Sequence, residues 1–152
     1  MIGTKELVAW LPTLLGLGSD DLVVYPTMAY PTYQVGAVIA GCRTLACDDL
    51  DELGDEWPAL VWINSPSNPT GQILAPDVLA ARVRTARARG AIVLSDECYG
   101  EFGWDVEPVS VLHPSICDGD YEGLLALHSL SKRSNLAGYR AGFVAGDDQL
   151  VT

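Results

Sequence analysis

The run Ala59-Leu60-Val61-Trp62-Ile63-Asn64-Ser65-Pro66-Ser67-Asn68-Pro69-Thr70-Gly71 sets the architecture. Ala59 to Ile63 is unbroken apolar sequence of strand length, and Asn64 to Gly71 is turn chemistry throughout. Ala75 to Arg89 then reads as a helix, with Pro76 near its first turn and Gly90 just past its end. Ala91 to Leu94 is a second apolar strand, closed by Ser95-Asp96-Glu97. Working outward, Leu22 to Tyr25, Leu124 to His128 and Ala141 to Ala145 read as strands, and Pro31 to Ala40 has helical character. Strands that are continuously apolar and alternate with helices predict a mostly parallel sheet covered on both faces, an α/β three-layer sandwich. Arg82, Arg84, Arg87 and Arg89 gather towards the C-terminal half of the central helix, where its dipole favours cations, which makes them structural first.

The length of 152 residues suits about one domain. Met1-Ile2 leads at once into the helix start Gly3-Thr4-Lys5-Glu6, and the other end stops at Val151-Thr152, barely past a strand. An incomplete sandwich is therefore expected. No apolar stretch reaches the ~18 residues of a membrane span, and no basic segment precedes an apolar core at the start. The net charge of −11 argues against nucleic acid. Cys42, Cys47, Cys98 and Cys117 form no C-x-x-C pair, and His113 and His128 fall outside zinc-ligand spacings. The expectation is free thiols in a reducing, cytoplasmic setting, with no metal site, no membrane and no nucleic-acid partner.

Open parallel sheets bind ligands beyond the carboxyl ends of their strands. Three successive strand ends here carry polar groups: Asn68 after the first, Asp96 and Tyr99 after the second, and Ser129, Ser131 and Lys132 after the third. Each has a local explanation as turn former, helix cap or loop filler. The lysine stands out, because the chain holds only Lys5 and Lys132. At the end of a buried strand, desolvation favours a neutral, nucleophilic amine, and Arg133 acts in the same direction. The alternative is a surface lysine at a strand end.

Asn68-Pro69-Thr70-Gly71, Ser95-Asp96-Glu97-Cys98-Tyr99, and Ser129-Leu130-Ser131-Lys132 followed by Arg140 resemble the fold type I, class I/II aminotransferases that use pyridoxal 5′-phosphate (PLP). Gly3 through Pro12, Ser65 through Gly71 and Ser129 through Arg140 are similar to the actinobacterial type of succinyldiaminopimelate aminotransferase of lysine biosynthesis. The resemblance implies that residues 1–152 belong to a PLP-binding large domain, with the N-terminal arm and C-terminal small domain outside it. It implies catalytic roles for Lys132, Asp96 and Tyr99. Lys132 would hold the cofactor covalently and move the substrate proton. Asp96 would face the pyridine nitrogen, and Tyr99 and Asn68 the ring's phenolic oxygen. Tyr30 would stack on the ring, or else pack in the core beside Tyr33. Gly3, Thr4 and Lys5, opening a helix, would cradle the phosphate with Ser129, Ser131 and Arg140. Lys5 could equally be a solvated first-turn residue, and Arg133 either a ligand contact or an exposed charge. The Asn68–Pro69 peptide would be cis.

The implied activity is amino transfer between N-succinyl-L,L-diaminopimelate and 2-oxoglutarate by a homodimer. Because the substrate-carboxylate arginine of such enzymes lies in the small domain, the 152-residue chain alone is expected to turn over little or nothing. The competing expectations are another class I/II aminotransferase or C–S lyase, a PLP-binding sensor module without catalysis, and a non-functional remnant.

Overall fold

The computed structural model describes residues 2–151. Among these residues six strands form one sheet: β1 (Leu22–Tyr25), β2 (Arg43–Ala46), β3 (Leu60–Asn64), β4 (Ile92–Asp96), β5 (Leu124–Ser129) and β6 (Gly142–Gly146), in the order β2-β1-β3-β4-β5-β6. The first five run parallel, in line with the mostly parallel sheet expected. β6 departs from the pattern by running antiparallel to β5, with Leu127 opposite Val144 and Ser129 opposite Gly142. Its connection holds only the one-turn helix α5 (Leu130–Arg133) and a 3-10 turn over Ala137–Tyr139, so the chain folds straight back instead of crossing the sheet. The parallel reading also passed over β2, a four-residue edge strand whose residues are largely exposed and therefore lack an apolar run.

Side chains alternate across the sheet and feed two separate cores. Val61, Ile63, Val93, Leu124 and Ala126 meet Leu79, Ala80, Val83 and Ala86 of α3 (Pro76–Ala88) and Ile116 of α4 (Pro114–Cys117). Leu60, Trp62, Leu94, Leu125 and Leu127 meet Val8 and Leu11 of α1 (Thr4–Leu14) and Tyr33 and Ala37 of α2 (Thr32–Ile39). Each fully buried Leu or Val contributes about 1.5–3 kcal/mol, so both faces hold the sheet. α1 and α2 cross closely at Gly36, where a β-carbon would sit 2.8 Å from the Ala9 carbonyl oxygen.

Two of the arginines at the end of α3 make long-range contacts. Arg87 pairs with Asp120, and Arg89 Nη1 donates to the carbonyls of Gly54 (3.0 Å) and Glu56 (2.9 Å). No described helix is long and apolar enough to cross a membrane. All four cysteines are free.

Candidate active site

The same alternation that splits the core also sorts the strand ends. Asn64, Asp96 and Ser129 share the face of Trp62, Leu94 and Leu127, and open into a cavity of about 260 Å³ between the sheet and the start of α1. Thr4, Lys5, Tyr30, Asn68, Tyr99, Ser131, Lys132 and Arg140 complete its polar wall. Of the candidates read from sequence, only Gly3 and Arg133 do not line it.

Asp96 is buried and held from two directions. Oδ1 accepts the Cys98 amide at 3.1 Å, the local bond expected of an aspartate at a strand end. Oδ2 accepts the Tyr33 hydroxyl at 2.8 Å. Tyr33 is fully buried, stacks on Trp62 (centroids 4.6 Å apart) and meets Tyr30 edge-on at 5.9 Å. Burial, then the charge of Asp96, push its phenol far above the ordinary range, so it stays a neutral donor. Tyr30 therefore both packs on Tyr33 and lines the cavity.

Asn64 braces the next strand end. Its buried amide donates to the Asp96 carbonyl (2.8 Å) and the Pro66 carbonyl (3.1 Å), and its oxygen accepts the Asn68 amide (2.7 Å). The Asn68–Pro69 peptide is cis, as is Ser65–Pro66.

Lys132 lies on α5, capped by Ser129, whose hydroxyl accepts the Ser131 amide at 3.2 Å. It is exposed rather than desolvated, contrary to the buried-lysine expectation: the helical turn after β5 carries it out to the cavity rim. Its Nζ stands 5.8 Å from the centroid of the Tyr99 ring. Arg133 points elsewhere, with Nε 3.2 Å from Glu101 Oε1, and lines a different cavity.

Arg140 and Gly3 build the cationic end. Arg140 has left-handed backbone (φ 51°), and its Nη1 donates to the Ala137 carbonyl at 3.0 Å and reaches Ser131 Oγ at 3.5 Å. Among the described residues no carboxylate pairs with it. Gly3 (φ 74°) has no side chain to cap α1, and a β-carbon there would run into the Arg140 guanidinium. First-turn amides without a side-chain cap and a guanidinium without a carboxylate partner are both groups that can receive an anion. Cys98 reaches between the elements, its thiol 3.3 Å from the Thr4 hydroxyl. Burial first, and Asp96 next, push that thiol up to about 12.

Tyr33, Asn64 and Cys98 were missed as site residues. Only Tyr33 left a trace, three residues after Tyr30 at a helix start.

The family model described as aminotransferase class I and II matches residues 1–152. The chain is 66% identical, over 99% of its length, to a probable aminotransferase of Mycobacterium tuberculosis, of which it covers 36%. It is 54% identical to the 4-dedimethylamino-4-oxo-anhydrotetracycline transaminase OxyQ of Streptomyces rimosus, over 99% of this chain and 42% of that protein. A solved probable N-succinyldiaminopimelate aminotransferase from Thermus thermophilus superposes with a TM-score of 0.89 at 31% identity, over 99% of this chain and 42% of that one. The chain thus spans about two-fifths of the length of the relatives it matches.

Proposed function

The chain belongs to the class I and II aminotransferase family, and on that premise we propose that the full-length protein moves an amino group between N-succinyl-L,L-diaminopimelate and 2-oxoglutarate in lysine and diaminopimelate biosynthesis. The family depends on PLP. The observation that carries the reading is the convergence on one cavity of Lys132, the buried carboxylate of Asp96 and the Arg140 guanidinium, which lies against Gly3 at the start of α1.

These residues fit the cofactor. Gly3 lets the Arg140 guanidinium lie against the first turn of α1, Arg140 has no carboxylate partner among the described residues, and Asp96 offers a fixed acceptor to a protonated ring nitrogen. When bound, PLP supplies an electron sink next to the substrate α-carbon. Lys132 Nζ would be the amine that holds the cofactor and afterwards carries the substrate proton. Asp96 would keep the ring nitrogen protonated. Asn68 and Tyr99 would donate to the ring oxygen, Tyr30 would cover the ring face, and the first turn of α1 with Thr4, Lys5, Ser129, Ser131 and Arg140 would hold the phosphate. Residues 1–152 are then part of the cofactor-binding large domain, the arm and small domain come from the rest of the protein, and the enzyme works as a cytoplasmic homodimer.

The succinylated substrate is supported by the motif wording and by the Thermus likeness. The 54% identity to OxyQ supports a second reading, amination of a larger cyclic ketone. Full-length protein loaded with PLP and offered a panel of amino donors separates them: N-succinyl-L,L-diaminopimelate should give the highest kcat/KM. Preference for another donor removes the lysine-pathway assignment. Release of pyruvate and ammonia would indicate a lyase instead. A visible cofactor band that persists unchanged in Lys132→Ala would remove the assignment of Lys132.

A further inference from the structure

We infer that Glu97 and His128, on the sheet face opposite the cofactor cavity, are positioning residues that hold Asp96 and Ser129 in place; the inference rests on the PLP reading above.

The two pairs are neighbours in sequence. Glu97 follows Asp96 at the end of β4, and His128 precedes Ser129 at the end of β5. Adjacent residues of a strand face opposite ways. Asp96 and Ser129 line the 260 Å³ cavity, while Glu97 and His128 line only a second one of about 170 Å³, which Ser129 also borders. Transamination as described uses neither of the second pair.

Glu97 is nevertheless heavily bound for a buried carboxylate. It is 5% exposed. Its Oε1 accepts the Ser95 hydroxyl (3.0 Å) and the Val111 amide (2.9 Å), and its Oε2 lies 3.3 Å from His128 Nε2. Its own amide donates to the Leu127 carbonyl at 2.9 Å. The His128 ring in turn stacks on Phe143 of β6, with centroids 4.8 Å apart and planes 20° apart. One connected set of contacts therefore joins the ends of β4, β5 and β6 and the segment leading into α4. Arg133 and Glu101, paired with each other, are the other charged groups around this cavity.

A buried carboxylate set beside an imidazole is a poor source of stability, because desolvation offsets most of what the contact gains and an apolar pair would pack as well. What such a pair supplies is direction. Bonds from a fixed carboxylate set the distance between two strand ends, and each of those ends carries a cofactor contact one residue away. Loosening the clasp lets Asp96 and Ser129 drift relative to each other, which a ring nitrogen and a phosphate held on one rigid molecule would register.

The test uses the full-length protein in four forms: wild type, His128→Leu, His128→Gln and Glu97→Gln. Three readings are taken: PLP dissociation constant by fluorescence, visible circular dichroism of the bound cofactor, and melting temperature without cofactor. His128→Leu is expected to weaken PLP roughly tenfold, the size of one lost contact to a charged group, and to diminish the visible dichroism. His128→Gln, which keeps a donor, should recover most of both. Glu97→Gln, similar in shape, should repeat the loss even if His128→Leu does not fold. A merely structural role would lower the melting temperature and leave dissociation constant and dichroism at wild-type values; that result in Glu97→Gln overturns the inference. Wild type without a visible band sinks the PLP reading itself, and the inference with it.

Discussion

The Tyr33 hydroxyl donates to Asp96 Oδ2 at 2.8 Å and thereby fixes the end of β4 to the start of α2. The bond lies in the cavity wall, on a ring that stacks on Trp62 and meets Tyr30 edge-on. Tyr33→Phe strips one oxygen of a buried carboxylate of its partner, at about 1.5–3 kcal/mol for a bond to a charged group. PLP affinity should fall roughly tenfold while the far-ultraviolet dichroism is kept. Alkaline pH gives a second reading. Because the folded phenol is raised, its contribution is fully present below the unfolded value of about 10 and fades as pH climbs beyond it. Urea melts at pH 9 and pH 11 should show wild type losing more stability across that interval than Tyr33→Phe.

Gly3→Ala tests the anion cradle. The backbone there (φ 74°, ψ 154°) belongs to a region nearly closed to other residues, at about 1–3 kcal/mol. The added carbon also pushes Arg140 aside. Calorimetric titration should find both PLP and inorganic phosphate weakened. Unchanged phosphate affinity would show that the anion does not bind between Gly3 and Arg140.

Asn64→Ala removes three hydrogen bonds at once and strands the Asp96 and Pro66 carbonyls and the Asn68 amide. A loss of about 2–4 kcal/mol in chemical denaturation is expected, since buried groups left unpaired cost about 1–3 kcal/mol each and partly rehydrate. Asn64→Asp should not rescue it, because a carboxylate has no hydrogen to give the Asp96 carbonyl.

Cys98 should behave as an inert thiol. Held up to about 12 by burial and by Asp96, it carries almost no thiolate at pH 8. Iodoacetamide at that pH should leave it unlabelled in the folded protein and label it after unfolding in guanidinium, as mapped by mass spectrometry. As with the Tyr33 phenol, the stabilising share of this thiol is intact below the ordinary thiol value of about 8.5 and is lost as pH rises further.

The layered sheet was legible because β3, β4 and β5 are apolar on both faces, and such runs occur where helices cover both sides. Most of the cavity wall was legible for a related reason: its polar residues sit where those runs end. The reversal of β6 was not, since apolarity marks a strand without giving its direction. β2 lacked the burial that makes a strand visible. Tyr33 and Asn64 escaped because each looks like what it also is, a core aromatic and a turn former; only the fold brings residue 33 against residue 96. The exposed position of Lys132 depends on a single helical turn whose existence rests on the Ser129 cap, a detail finer than apolar patterning resolves.

Gly3 and Arg140 come from nearly opposite ends of the described chain, yet they share one small space. On the proposed reading, a nascent polypeptide emerging from the ribosome has no complete phosphate receptor until residue 140 has been made and folded back on residue 3. The vitamin B6 coenzyme would then recognise only chains that have passed that point. By mass action it should then hold them in that state, by about 2.7 kcal/mol at a hundredfold excess over its dissociation constant.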